Sequence, residues 1–116
     1  MSNAHGSKWI RPEKRLAIYA RDGFACVFCG ADEGECVLTL DHVTPREMGG
    51  THAADNLVTA CLSCNSAKQD STMRAWFASL RDRGIDTRDM SRVIKRQLSR
   101  AIDINAGKRL LAARKR

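Results

Sequence analysis

Between Cys26 and Lys68 the chain reads Cys26-Val27-Phe28-Cys29, then Asp41-His42-Val43-Thr44-Pro45, then Gly49-Gly50 and Asn56-Leu57, and finally Cys61-Leu62-Ser63-Cys64-Asn65. The two C-x-x-C pairs stand 31 residues apart. Each short loop spans neighbouring corners of a tetrahedron, so two pairs converging on one structural zinc ion use all four thiols. A redox pair would explain one and leave the other idle. A disulfide scaffold normally uses an even number of cysteines and follows a secretion signal; this chain has 5 and no such signal. Cys36 is left over and is read as a buried or half-buried free thiol.

Working outward, Pro12 suits the first turn of a helix, and Leu16, Tyr19 and Ala20 recur at helical spacing until Asp22-Gly23 stops it. Val37 to Val43 is β-prone, Pro45 and Gly49-Gly50 break the chain into a loop, and Asn56 to Ala60 reads as a second strand. A helix from Cys64 carries Asn65 and Lys68 on successive turns. Asp70-Ser71-Thr72 offers cap chemistry for a new helix or a bend. Met73, Trp76, Phe77 and Leu80 fall at i, i+3, i+4 and i+7, an aromatic stripe read as core rather than as a base-stacking surface. A last helix is expected from about Asp89 to Ile104, with Asn105 and Gly107 interrupting it before a basic end.

With 116 residues, 43% apolar and 28% charged, the chain suits one small globular domain. No apolar run exceeds the six residues Phe24 to Cys29, which excludes a membrane span or a secretory signal. The net charge of +7 is unevenly placed. Residues 1–70 hold 7 basic and 9 acidic side chains, whereas 71–116 hold 13 and 4. A basic half points to an acidic polymer as partner without naming it.

In order and spacing, the segment from Cys26 to about Lys68 resembles the HNH endonucleases, a family built on a ββα-metal motif. The resemblance implies an α+β fold: a small ββα-metal core with a four-cysteine zinc site, flanked by N- and C-terminal helices. It also implies metal-dependent endonucleolytic cleavage of DNA with one divalent cation. His42 is the candidate general base, because a neutral imidazole near pH 7 takes a proton from water; a lone structural histidine is the bland alternative. Asp41 would bind the cation. On a regular strand Asp41 and His42 point to opposite faces, so the shared site requires a bend or bulge there. Asn65 stands where many members carry a last histidine, and some members use Asn there as a ligand; its alternative is a helix cap. A carboxylate with an amide oxygen is a hard pair that favours Mg2+ or Mn2+.

Asn56 matches the family asparagine that holds the loop and orients the base; a plain turn residue is the alternative. Gly49 and Gly50 are expected to let the backbone turn close to substrate or to the second strand. Lys68 either meets phosphate or is solvated. His52 matches no fixed family position and is read as a solvated loop histidine, with a substrate contact second. Arg92, Lys95, Arg96, Arg100, Lys108 and Arg109 form the candidate phosphate-backbone surface, against the reading of a merely solvated face. Residues 1–9 are read as a leader, with Ser2-Asn3-Ala4 resembling a protease-site scar. Residues 10–83 are the nuclease domain, and 84–116 an amphipathic basic helix and tail packed on it. Expected partners are DNA but no membrane and no small-molecule cofactor, in the cytoplasm of a bacterial or phage setting, with the apolar face of the last helix open to a dimer. The rival function is a non-catalytic zinc-dependent nucleic-acid-binding module, which has no need of Asp41, His42 and Asn65.

Overall fold

The computed structural model describes residues 9–114. Most of the expected leader (residues 1–8) and the end of the basic tail (115–116) lie outside the described residues. Helix α1 (Pro12–Arg21) begins with Pro12 at the position where a missing amide costs nothing, with Glu13 in its first turn. It ends at Asp22, after which Gly23 takes φ +73°. Strands β1 (Leu38–His42) and β2 (Leu57–Cys61) pair antiparallel, and α2 (Leu62–Lys68) follows β2 directly. The connecting loop holds two 3-10 turns, Arg46–Met48 and Ala54–Asn56.

The strand register runs without interruption from Leu38↔Cys61 to His42↔Leu57, with Asp41 opposite Val58. The bulge expected at Asp41–His42 is therefore not present. A regular pleat sends these two side chains to opposite faces of the ribbon, and each face buries its own cluster. Leu38, Leu40 and Leu57 meet Ile10, Leu16, Ile18 and Tyr19 on one side. On the other, Val58 and Ala60 join Phe28, Trp76, Leu80 and Ile94.

The outer edge of β2 is closed by side chains and loop backbone. Arg21 and Asp22 form an ion pair of 2.8 Å with side-chain exposures of 1% and 0%. Arg21 Nη2 donates to Leu57 O (2.7 Å) and Nη1 to Ala54 O (2.9 Å). Thr59 N donates to Asp22 Oδ2 (2.9 Å), while Val27 N donates to Thr59 O (3.0 Å).

Helix α3 (Met73–Asp82) is capped by Thr72, whose hydroxyl accepts from Ala75 N (3.1 Å), and its Trp76 and Leu80 are buried as the spacing predicts. The expected last helix is instead two. Helix α4 (Arg88–Leu98) buries Ile94, and α5 (Ile104–Arg114) follows after a break. Asp103 Oδ1 accepts from Ala106 N (3.1 Å) and starts the new helix. Gly107 does not interrupt α5 but lets it cross α1 closely: a Cβ there would lie 2.0 Å from Glu13 O. Tertiary contact overrides the weak propensity of glycine. No helix among the described residues is long and apolar enough to cross a membrane.

Candidate active site and metal centre

The four paired thiols converge. The Sγ atoms of Cys26, Cys29, Cys61 and Cys64 all lie within 4.8 Å of one another, and Cys29 to Cys61 is 3.7 Å. A tetrahedron built on metal–sulfur bonds of about 2.3 Å has an edge of about 3.8 Å, so the donor set fits a metal. Backbone amides point inward: Phe28 N and Cys29 N lie 3.4 and 3.5 Å from Cys26 Sγ, and Cys64 N lies 3.3 Å from Cys61 Sγ. The hydrogen bond from Cys64, with these amides, holds the Cys26 thiol down at about 5. The same contact pushes Cys64 up. Cys36 stays outside the cluster, half-buried, its Sγ donating to Asp32 O (3.2 Å).

A second donor set lies on the face of β1 that meets α2. Asn65 Nδ2 donates to Thr39 Oγ1 (2.9 Å) and Leu40 O (3.3 Å), which fixes the amide with Oδ1 on its other side. Asn65 Oδ1 and Asp41 Oδ2 are both buried without a hydrogen-bond partner among the described residues. Asp41 Oδ2 is nonetheless 3.1 Å from Lys68 Nζ, an ion-pair distance reached off the hydrogen-bonding direction. Asn65 Oδ1 and Asp41 Oδ2, the latter held only by that ion pair, are hard oxygens of the kind an oxygen-seeking divalent cation takes. Asn65 does not cap α2, because Cys61 Sγ does.

Lys68 is where the structure departs most from expectation. It is 2% exposed, and its ammonium is committed to Asp41 Oδ1 (3.3 Å), His42 O (3.4 Å) and Ser71 O (3.0 Å). Neither a solvated lysine nor a surface phosphate contact describes it. The chain leaves α2 through Gln69 at φ +52°, which folds Ser71 back over the end of the side chain. Burial lifts the Asp41 carboxyl to about 6, with Lys68 working against that rise.

His42 occupies the opposite face. Its Nε2 lies 2.9 Å from His52 Nδ1, and the Trp9 ring packs at 5.0 Å from His42 and 4.5 Å from His52. Lys14 Nζ donates to His52 O (2.7 Å), which ties this loop to α1. Burial first, then His52, Arg46 and Lys68, push His42 down to about 4. His52 is also lowered, by burial and by Arg46 and Lys14. The sequence pattern does not reveal this pair: it reads His52 as a solvated loop histidine and places Trp9 in the leader. Their meeting depends on the path of the loop and carries no local signal.

Asn56 ties the loop between β1 and β2 together. Oδ1 accepts from Thr44 N (2.8 Å), and Nδ2 donates to Thr44 O (3.1 Å) and Thr51 O (2.9 Å). These bonds hold the loop that follows His42. Gly49 sits at φ +91°, and Gly50 turns close to the Thr44 backbone rather than to the second strand.

Comparison with known proteins decides the family. Residues 26–79 match the family model described as HNH endonuclease. The chain carries a domain of the HNH endonuclease family. It is 33% identical over 63 residues to the CRISPR-associated endonuclease Cas9 of Actinomyces naeslundii and 27% over 76 residues to that of Corynebacterium diphtheriae. These matches take in 53% and 65% of this chain but 6% and 7% of the relatives, so the chain spans a small part of their length. In fold it resembles the crystal structure of the Type II-C Cas9 enzyme from Actinomyces naeslundii, with a TM-score of 0.53 and 23% identity over 81% of this chain and 12% of that one.

Outside the matched segment, the HNH domain carries its candidate DNA-facing cations on two helices instead of one. Arg92, Lys95, Arg96 and Arg100 are exposed on or just after α4, and Lys108 and Arg109 are exposed on α5. Several are already engaged. Arg92 pairs with Asp89, Arg109 lies 3.9 Å from Asp103, and Arg100 Nη1 donates to Arg21 O and Gln97 Oε1, both at 2.9 Å.

Proposed function

We propose that this HNH domain hydrolyses phosphodiester bonds of DNA as a metal-dependent endonuclease, with His42 as general base and zinc in the four-cysteine cluster as a structural ion. The observation that carries the reading is a pair of buried oxygens without a hydrogen bond among the described residues: Asp41 Oδ2, next to His42 in the chain and held only by the Lys68 ion pair, and Asn65 Oδ1 on α2. Thr59 Oγ1 and Trp76 Nε1 also lack hydrogen-bond partners among the described residues, so what speaks for a cation is donor type: a carboxylate and an amide oxygen on the β1–α2 face, a hard pair that a domain merely binding nucleic acid does not need. The non-catalytic binding module is therefore not favoured.

Asp41 and Asn65 would hold Mg2+ or Mn2+, whose charge stabilises the phosphate and the leaving 3′ oxygen. Lys68 keeps positive charge beside the Asp41 carboxylate and locks it against α2. His42, kept neutral by its surroundings, takes the proton of the attacking water. Asn56 holds the loop that shapes this end of β1. Exposed cations on α4 and α5 bind the phosphate backbone with little sequence preference.

Supercoiled plasmid incubated with the protein and Mg2+ or Mn2+ tests the proposal. Cleavage is expected, and His42→Ala should lower its rate by about 10²–10⁴-fold, the usual contribution of a general base, while keeping the fold. Cleavage by His42→Ala at the wild-type rate would sink the assignment.

A further inference from the structure

We infer that His52 is a positioning residue for His42, fixing its ring and its tautomer so that Nδ1 is the nitrogen that receives a proton. The inference rests on the reading of His42 as base. The two rings meet through His42 Nε2 and His52 Nδ1 at 2.9 Å, a contact with room for one hydrogen. Were His52 the donor, His42 Nε2 would spend its lone pair on that bond. Its own hydrogen would then sit on Nδ1, and neither nitrogen would be left to take a proton. When His42 Nε2–H donates instead, His52 Nδ1 accepts, the His52 hydrogen sits on Nε2, and His42 Nδ1 keeps a lone pair.

The surroundings hold this arrangement from several sides. Trp9 packs against both rings, at 5.0 and 4.5 Å, and the Arg15 guanidinium lies 5.8 Å from the Trp9 centroid. The Lys14 bond to His52 O at 2.7 Å pins the His52 backbone to α1, so the acceptor is fixed by a helix rather than by its own loop. Asn56 pins the same loop at Thr44 and Thr51.

The test pairs a spectrum with kinetics on the full chain. In histidine-labelled protein at pH 7.5, two-bond 1H–15N correlations report which ring nitrogen carries the hydrogen. Wild-type His42 is expected as a single Nε2–H tautomer, and His52→Ala should give a mixture. In plasmid cleavage, His52→Ala should lower kcat by about tenfold or more with KM for DNA unchanged, a fraction of what a general base supplies. His52→Asn, whose Oδ1 replaces the accepting nitrogen, should recover most of that loss. A merely structural histidine would not be rescued in this way. An Nδ1–H tautomer in the wild type, a His42 signal untouched by His52→Ala, or an Asn variant no better than Ala would each overturn the inference. If the base reading itself is wrong, His42→Ala cuts like wild type while the His42 tautomer still depends on His52; that result would uphold the pairing and overturn its catalytic role.

Discussion

Gly50 is where the loop leaving β1 closes on itself, and replacing it by alanine tests how the fold serves the site. Its amide donates to Pro45 O (3.0 Å), and its carbonyl accepts from Arg46 Nη1 (3.2 Å). A Cβ would stand 1.7 Å from Thr44 O and 2.7 Å from Thr44 C, and both are backbone atoms with little freedom to move. A carbon meets a carbonyl oxygen at about 3.3 Å, so the chain must retreat by about 1.6 Å. That shift breaks the two hydrogen bonds, each worth about 0.5–1.5 kcal/mol, for a total of about 1–3 kcal/mol. The expected Tm is lower by roughly 5–15 °C. His52 lies two residues further on, so the His42–His52 contact moves with it, and a misplacement of about 1 Å can cost about 10²-fold in rate. Gly49→Ala is the control. Nothing lies within 4 Å of its Cβ, and only left-handed strain at φ +91° remains, about 1–2 kcal/mol with cleavage largely kept. Melting curves and plasmid kinetics on the two variants read both effects. If Gly50→Ala melts within about 2 °C of wild type and cuts within about threefold, the argument for a loop built on that close approach is refuted.

Removing the metal from the cysteine cluster with a strong chelator should unfold the domain, since the cluster joins the 26–29 turn to the β2–α2 junction; circular dichroism reads the loss, and a protein that stays folded without metal would contradict a structural ion. Mn2+ affinity should fall about tenfold between pH 7 and pH 5, because a carboxyl held near 6 goes from about nine-tenths to about one-tenth ionised over that range. His42, held near 4, stays mostly neutral there, so calorimetry on His42→Ala should show the same decline. Gly107→Ala should destabilise by about 1–2 kcal/mol in urea, because overpacking against Glu13 O and Ala17 Cβ outweighs a helix-propensity gain of about 1 kcal/mol.

The parts of the molecule legible in sequence are those whose geometry is local. Two C-x-x-C turns place their own sulfurs, Thr72 caps its own helix, and Trp76 and Leu80 follow from a spacing of four. What escaped reading depends on how distant segments cross. Lys68 shares a face with Asn65 by helical spacing, but its burial is set by a turn at Gln69 and by Asp41 across the ribbon. His52 and Trp9 meet His42 only because α1 and the loop converge there. The regular register at Asp41 leaves Asp41 and His42 on opposite faces at one end of β1, as plain residue alternation predicts and without the bulge that a shared face requires. Gly107 carries a breaker's propensity in a place where absence of a side chain is what the packing requires.

The Arg21–Asp22 pair has a consequence for solubility. A two-stranded ribbon has two edges, and an edge with unpaired amides and carbonyls is a template for a strand of another chain. Along Leu57–Thr59 that template is already occupied: the guanidinium covers one carbonyl, the carboxylate takes the Thr59 amide, and the first cysteine turn supplies the remaining donor. A charged pair, the kind of group least suited to a core, thus stands in for a third strand and keeps so small a sheet from growing at that edge by addition.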